Sequence, residues 1–197
     1  MFKSIIYNLK HLTDFKGRDG RTTFWHYILF VTVLNILVVT LASAPTFFAI
    51  IADVTANAAN QTDPAALEVD ALEKMIAIGL PETLVKIGLA VATMNIVLLS
   101  ASFVRRAHDS GLPGMLLFIP VSLQLVWMYF SYSQLDGMDD AIRAAVQAVQ
   151  THRAADMQVG MIAQDLIGWL VVIIVAVIGM VKTQPQPNQY GEAPIKL

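Results

Sequence analysis

Residues 24–52 read FWHYILFVTVLNILVVTLASAPTFFAIIA and contain no Asp, Glu, Lys or Arg. A bilayer core about 30 Å thick is crossed by roughly 20 apolar residues in a helix, so this stretch is long enough to span it. A helix in the core of a soluble protein is shorter and keeps one polar face. A cleaved signal peptide has an apolar core of only about 7–15 residues. The stretch therefore predicts a membrane-spanning helix that is retained in the protein.

Three further stretches, at residues 84–104, 112–135 and 162–181, approach or reach the same length. The first two are apolar on all sides, and a soluble helix could not shield such a surface from water. Lys86 and Asp165 lie near span ends, where polar side chains can reach the interface. We therefore predict an all-α, polytopic integral membrane protein. Residues 1–197 are expected to form a single membrane domain with four transmembrane helices.

The overall composition agrees with a membrane protein. The chain is 56% hydrophobic and only 14% charged, whereas soluble domains carry about 25% charged residues. A net charge of −2 is too small to indicate a nucleic-acid partner. The chain has no cysteine, which excludes disulfides, thiolate metal sites and cysteine nucleophiles. We expect no cofactor and no metal.

The charges outside the predicted spans alternate in sign along the chain. Lys and Arg collect in the cytoplasmic loops of membrane proteins. The basic residues before the first span, between the second and third, and after the fourth are Lys3, Lys10, Lys16, Arg18, Arg21, Arg105, Arg106, Lys182 and Lys196. The loops at residues 53–83 and 136–161 are mainly acidic. Both termini, including the tail at residues 182–197, should therefore be cytoplasmic, and the two long loops should be extracytoplasmic.

Amphipathic helices are predicted inside both long loops and at the N-terminus. In the first loop, Asp63 and Pro64 resemble a helix start. Apolar stripes with helical spacing then follow in the two loops, formed by Leu67, Ala71, Met75 and Ile78 and by Ile142, Ala145, Val146 and Val149. At the N-terminus the apolar residues Phe2, Ile5, Ile6 and Leu9 are set against Lys3 and Lys10. Helices of this kind lie on a membrane surface or on a helical bundle.

Residues 14–25 form the first conspicuous motif, with Arg18 and Arg21 just before the first span. One interpretation is a turn into the membrane, with the arginines at phosphates and Trp25 in the interfacial aromatic belt. The other is a binding site for an anionic ligand, formed by Arg18 and Arg21.

Residues 105–114 form the second motif, a short link between two predicted spans. Gly111 and Gly114 tolerate backbone angles that a sharp turn requires. A structural hairpin, contact with a ligand or lipid, and catalysis by His108 and Asp109 all remain open. Catalysis is the weakest of these because the sequence places no nucleophile beside that pair, and we expect no enzymatic activity.

Together with a third stretch, residues 184–191, these motifs resemble a bacterial family of small membrane proteins, catalogued as domain of unknown function 805. The first family motif is matched by Phe15, Gly17, Arg18, Arg21, Phe24 and Trp25. The second is matched by Arg105, Arg106, His108, Asp109, Gly111, Gly114 and Pro120. The third is matched by Pro187, Asn188, Tyr190 and Gly191. Met115 and Leu116 stand where the family has aromatic residues. The resemblance implies the bacterial inner membrane and no established activity.

The resulting hypothesis is a non-enzymatic membrane module with a site on its cytoplasmic face, where the three motifs should converge. Its ligand would be an anionic lipid headgroup, or the site would bind a protein partner or a second copy of the chain. The alternative is a small transporter or a transporter accessory subunit. The candidate binding residues are Gly17, Arg18, Arg21, Trp25, Arg105, Arg106, His108, Asp109, Gly111, Gly114, Asn188 and Tyr190.

Overall fold

The computed structural model describes the backbone of residues 1–58, 73–150 and 158–194. It describes the side chains of residues 1–56, 73–144 and 166–194. Within these ranges every regular element is a helix, as the all-α prediction requires. The helices are α1 (Phe2–Lys10), α2 (Arg21–Ala58), α3 (Leu80–Asp109), a 3-10 turn (Gly114–Leu117), α4 (Phe118–Ser133), α5 (Met138–Gln150) and α6 (Gln158–Met180).

Three of these helices are long and apolar enough to cross a membrane, in the described part of the chain. They cover Arg21–Ala56, Leu80–Asp109 and Gly114–Ser133, and they contain most or all of the predicted spans at 24–52, 84–104 and 112–135. In the most apolar 18-residue stretch of each helix, only 17%, 28% and 11% is buried inside the protein. Exposed apolar surface of that extent requires another apolar environment, so the helices are compatible with a multi-pass membrane protein.

The stretch predicted as a fourth span, residues 162–181, coincides with α6. This helix has 23 residues, and its apolar part with described side chains runs over Leu166–Met180, shorter than the three helices above. In the predicted loop helices, α5 falls on the second apolar stripe. Of the first stripe, Leu67 and Ala71 lie outside the described residues, as does its predicted start at Asp63 and Pro64, whereas Met75 lies in a short helical segment at residues 73–77. The side chains of Ala145, Val146 and Val149 also lie outside the described residues.

Helix α3 lies at the centre of the bundle. It packs against α2, α4, the 3-10 turn and α6, while α4 also packs against α6 and α1 against α2. Halfway along, Asn35 Nδ2 of α2 donates a hydrogen bond to Asn95 Oδ1 of α3 over 3.0 Å. Such bonds between membrane helices contribute about 0.6 kcal/mol each. Tyr27 of α2 is buried and donates to the Leu98 carbonyl of α3 over 3.1 Å. Phe103 and Ala107 of α3 pack against Ile178 of α6.

Most of the large, fully buried side chains lie at one end of this bundle, where α2 begins and α3 and α6 end. They include two arginines, Arg105 and Arg106, and two aspartates, Asp19 and Asp109. Charged side chains are almost never fully buried unless they are paired. This end of the molecule is therefore organised by polar contacts, unlike the apolar middle.

Candidate functional site

Three separate segments build the charged end of the bundle. The loop before α2 is joined to α3 by the Asp19 backbone amide, which donates to the Arg105 carbonyl over 3.0 Å. The C-terminal tail is joined to α3 by the Gln184 amide, which donates to the Asp109 carbonyl over 3.0 Å. The structure thus brings the three motif segments together, as the sequence predicted.

Asp109 lies between two arginines. Its Oδ1 is 3.1 Å from Arg18 Nη2, and its Oδ2 is 2.5 Å from Arg106 Nη1. All three side chains are at most 1% exposed. Both carboxylate oxygens are therefore used inside the protein, and this aspartate links the first motif to the second.

Arg18 also holds the tail. Its Nη1 donates to the carbonyl of Gln186 over 2.8 Å and to that of Gly191 over 3.3 Å. Its Nη2 donates to the carbonyl of Gln184. A guanidinium presents five N–H donors in a fixed plane, so one side chain can bind the Asp109 carboxylate and several tail carbonyls at once.

Arg106 caps the C-terminal end of α6. Its guanidinium lies 3.4 Å from the Gly179 carbonyl and also donates to the carbonyl of Val181. The last carbonyls of a helix have no partner within the helix, and a nearby cation stabilises them. Trp25 Nε1 donates to the same Gly179 carbonyl over 3.2 Å, so α2, α3 and α6 meet at this point.

Arg105 and Asp19 form a second buried ion pair, with Nε and Oδ2 3.1 Å apart. Ser102 Oγ donates to Asp19 Oδ2 over 3.2 Å. The other carboxylate oxygen, Oδ1, has no hydrogen-bond partner among the described residues. Burial raises the pKa of Asp19, while the positive charge of Arg105 opposes that shift.

Arg105 extends from this pair to the N-terminal segment. Its Nη2 donates to Asn8 Oδ1 over 2.6 Å, and its Nη1 donates to the carbonyls of His11 and Asp14. Its guanidinium carbon also lies 5.5 Å from the centre of the Tyr7 ring, within the range of a cation–π contact. Burial raises the pKa of Tyr7, and the negative charge of Asp19 adds to the shift.

The tail folds over the second motif through two side chains. Asn188 Nδ2 donates to the His108 carbonyl over 2.9 Å. Asn188 Oδ1 accepts from the Tyr190 amide over 2.9 Å, which is an Asx turn. The Tyr190 ring stacks on the His108 ring with centroids 3.9 Å apart and planes 7° from parallel.

The two predicted turn glycines serve different purposes. Gly111 has a φ of +78°, in the left-handed region where a Cβ is disfavoured. Gly114 instead permits a close approach, since a Cβ there would lie 2.8 Å from Val104 Cγ1 and 2.9 Å from His108 Nε2. Gly114 therefore brings the start of the 3-10 turn against the end of α3.

Arg21 and Trp25 differ from the other candidate residues because they lie at the rim. Arg21 is exposed and Trp25 is 38% exposed, and both line a groove together with Thr22 and Met180. Sequence reasoning did not identify Asn8 or Ser102 as part of the buried network. A signal for the first was present, because Ser4, Asn8 and His11 share one face of α1 at helical spacing.

A family model described as protein of unknown function (DUF805) matches residues 12–192. The matched range contains the three buried ion pairs, the hairpin glycines and the tail turn, whereas α1 lies before it. No curated protein and no solved structure matches the chain.

Proposed function

We propose, from the premise that the chain belongs to the family described as protein of unknown function (DUF805), that it is a non-enzymatic module of the bacterial inner membrane. In this proposal the chain crosses the membrane four times with both termini in the cytoplasm. The rim of its charged end binds anionic lipid headgroups.

The four-span topology is supported by the arrangement of the helix ends. The loop before α2 and the tail after α6 contact each other through Arg18, so an even number of crossings separates them. The helices available for those crossings are α2, α3, α4 and α6. The basic segments then fall on the side of the two termini, as the distribution of Lys and Arg predicts for the cytoplasm.

The observation that carries the headgroup proposal is the contrast between Arg21 and the three buried arginines. Arg18, Arg105 and Arg106 are at most 6% exposed and already bind carboxylates and carbonyls. Arg21 is exposed and forms no ion pair within the described part of the chain. It is also the first residue of α2, where the helix dipole favours an anion.

The surroundings of Arg21 suit a lipid. The indole of Trp25 and the apolar Met180, which is 60% exposed, line the same groove, and Lys182 is exposed just after α6. Beneath the rim, three buried arginines face only two aspartates, so the cluster retains a positive charge. Basic pockets at the cytoplasmic surface bind anionic headgroups in this way.

The same geometry gives little support to the other candidate functions. Asp109 is poorly suited to catalysis because Arg18 and Arg106 already bind both of its carboxylate oxygens. A cavity between α3, α4 and α6 has a volume of about 60 Å³ and is lined mainly by apolar side chains, with polar groups from Asn95, Ser100 and Gln124. That volume accommodates a few water molecules, which is small for a transport pathway.

Lipid retention during purification tests the headgroup proposal. Wild type and Arg21→Gln are extracted in a mild detergent, and bound phospholipids are identified by mass spectrometry. One exposed basic residue contributes about 1 kcal/mol to the attraction of anionic lipid, so Arg21→Gln should retain about fivefold less. The matched control is Lys86→Gln, which removes an exposed lysine whose partner is Glu82. Equal retention of anionic lipid by all three proteins would contradict the proposal.

Cysteine labelling tests the topology independently, since the chain has no cysteine of its own. Asp140→Cys and Glu192→Cys both place the label at exposed positions. In intact spheroplasts an impermeant maleimide should react with the cysteine at position 140 and not at position 192. Reaction at position 192 would exclude a cytoplasmic C-terminus.

A further inference from the structure

Helix α1 has its polar side facing the protein and its apolar side facing outward. Ser4 and Asn8, both polar, are fully buried. Phe2, Ile6 and Leu9 are 76%, 52% and 40% exposed. This is the reverse of a helix packed on a soluble core, whose apolar stripe faces the interior.

The inward side is held by specific polar contacts. Asn8 binds the guanidinium of Arg105 over 2.6 Å, and Ser4 Oγ lies 3.4 Å from His26 Nδ1 on α2. The charged end of the bundle therefore fixes the rotation of α1 about its own axis. The outward direction of the apolar face is a consequence of these contacts.

The outward side combines apolar and basic residues. Residues 1–13 contain no Asp or Glu. Lys3 and Lys10 of α1 are exposed, and their helical spacing places them beside Phe2, Ile6 and Leu9. A short helix with this combination has the character of an interfacial helix that binds a membrane with anionic lipid.

We propose that α1 lies in the cytoplasmic interface of the same bilayer that the bundle crosses. Phe2, Ile6 and Leu9 insert at the boundary between headgroups and acyl chains, and the lysines lie at the phosphates. The inference rests on the membrane placement given under the proposed function, but it does not depend on the Arg21 groove. It assigns a lipid-binding surface to a segment that precedes the family match.

The position of α1 favours lipid as the occupant over another protein. The helix packs against the start of α2, the level at which a bilayer surface meets a spanning helix. Farther along α2, Leu29 and Val33 are 53% and 56% exposed, so the spanning helix also presents apolar side chains outward. The positive charge of the segment also complements the negative surface of the cytoplasmic leaflet.

Fluorescence quenching in lipid nanodiscs tests this arrangement. A nitrobenzoxadiazole label is attached at Ile6→Cys and, as the matched control, at Thr13→Cys, an exposed polar position beyond the end of α1. The nanodiscs contain phosphatidylcholine and phosphatidylglycerol. The label at position 6 should be quenched several-fold more by nitroxide-labelled lipid than by aqueous iodide, and the label at position 13 should show the reverse order.

Two results would overturn the inference. Strong iodide quenching at position 6, equal to that at position 13, would show that the face is in water. Protection of position 6 from both quenchers would show that protein covers it, such as a second copy of the chain. The double variant Ile6→Cys, Arg21→Gln separates the two proposals. If it retains less anionic lipid while the label at position 6 is still quenched by nitroxide-labelled lipid, then the substitution has affected only the Arg21 groove and α1 is still inserted in the membrane.

Discussion

The two ends of the bundle use the same kinds of ion pair in opposite environments. At the motif end, Arg18–Asp109 and Arg105–Asp19 are each 3.1 Å apart and at most 1% exposed. At the start of α3, Lys86 and Glu82 are 2.6 Å apart but 62% and 51% exposed. Distance alone does not distinguish the pairs, and burial does.

This difference determines which charges the fold depends on. Water and salt screen an exposed pair, which contributes little to stability. A buried pair has lost its hydration, so the removal of one partner leaves the other charge without compensation. The motif residues therefore behave as a structural unit, whereas the exposed pair at the far end of α3 is expected to be dispensable.

The largest effect should follow from Asp109→Ala. The substitution leaves Arg18 and Arg106 without their shared carboxylate, and breaking a buried pair in this way costs about 3–5 kcal/mol. We expect a large loss of yield and a markedly lower midpoint of thermal unfolding, measured by circular dichroism in detergent.

The matched control for that prediction is Glu82→Ala at the opposite end of α3. An exposed pair four residues apart on a helix contributes about 0.2–0.5 kcal/mol, so the unfolding midpoint should change little. Comparable destabilisation by both substitutions would contradict the distinction between buried and exposed ends.

A moderate effect is expected from Gly114→Ala. The new Cβ would lie within 3 Å of Val104 and His108, and overpacking of this kind costs about 1–3 kcal/mol. Gly88→Ala is the control, because a Cβ there would meet only ordinary van der Waals contact with Trp127. We expect a lower unfolding midpoint for Gly114→Ala and an unchanged midpoint for Gly88→Ala. Equal midpoints for the two variants would show that the close approach at Gly114 does not limit the side chain at that position.

A smaller, local effect is expected from Asn188→Ala. The tail would lose the bond to the His108 carbonyl and the turn at Tyr190, each worth about 1 kcal/mol. Limited proteolysis should therefore cleave the tail faster while the spans stay folded. Gln189→Ala removes an exposed neighbour and should leave the cleavage rate unchanged. An unchanged rate in Asn188→Ala would indicate that the remaining contacts, from Arg18, the Gln184 amide and the Tyr190 ring, are enough to hold the tail.

The smallest effect concerns pH. Burial raises the pKa of Asp19 above its ordinary value of 3.8, so the folded state binds this proton more tightly than the unfolded state. The resulting stabilisation is complete below pH 3.8 and is lost as the pH rises through the raised pKa. The unfolding midpoint of wild type relative to Asp19→Asn should therefore fall as the pH rises through that window, and a constant difference would contradict it.

The spans were predictable because the signal for them is local. A run of apolar side chains such as residues 24–52 has a large unfavourable hydration free energy wherever it lies in the chain, so hydropathy and length locate the helix. The ion pair between Glu82 and Lys86 was predictable for a similar reason, because residues four apart on a helix are neighbours. In the described part of the chain, the structure contains helices long and apolar enough for three of the four predicted spans, and it contains the ion pair.

The interior of the site was predictable only in part. The predicted topology led to the expectation that the three motifs meet, and the contacts of Arg18 with Asp109 and the tail confirm that they do. The spacing of Ser4 and Asn8 indicates a polar face on α1 but not the group that this face contacts, and Ser102 carries no such signal. A polar side chain can be predicted to be buried only when its hydrogen-bond partner is known. The partner of Asn8 is Arg105 and that of Ser102 is Asp19, and both partners are distant in sequence.

The sequence by itself determined the helical membrane-type fold, the family and the segments that form the charged end. It could not separate Arg18 from Arg21, which are three residues apart in one motif and have the same side chain. Only the tertiary structure buried the first between Asp109 and the tail and left the second exposed at the rim. The physical reason is that hydropathy is a property of the chain, whereas the environment of a charge depends on groups that folding brings close to it.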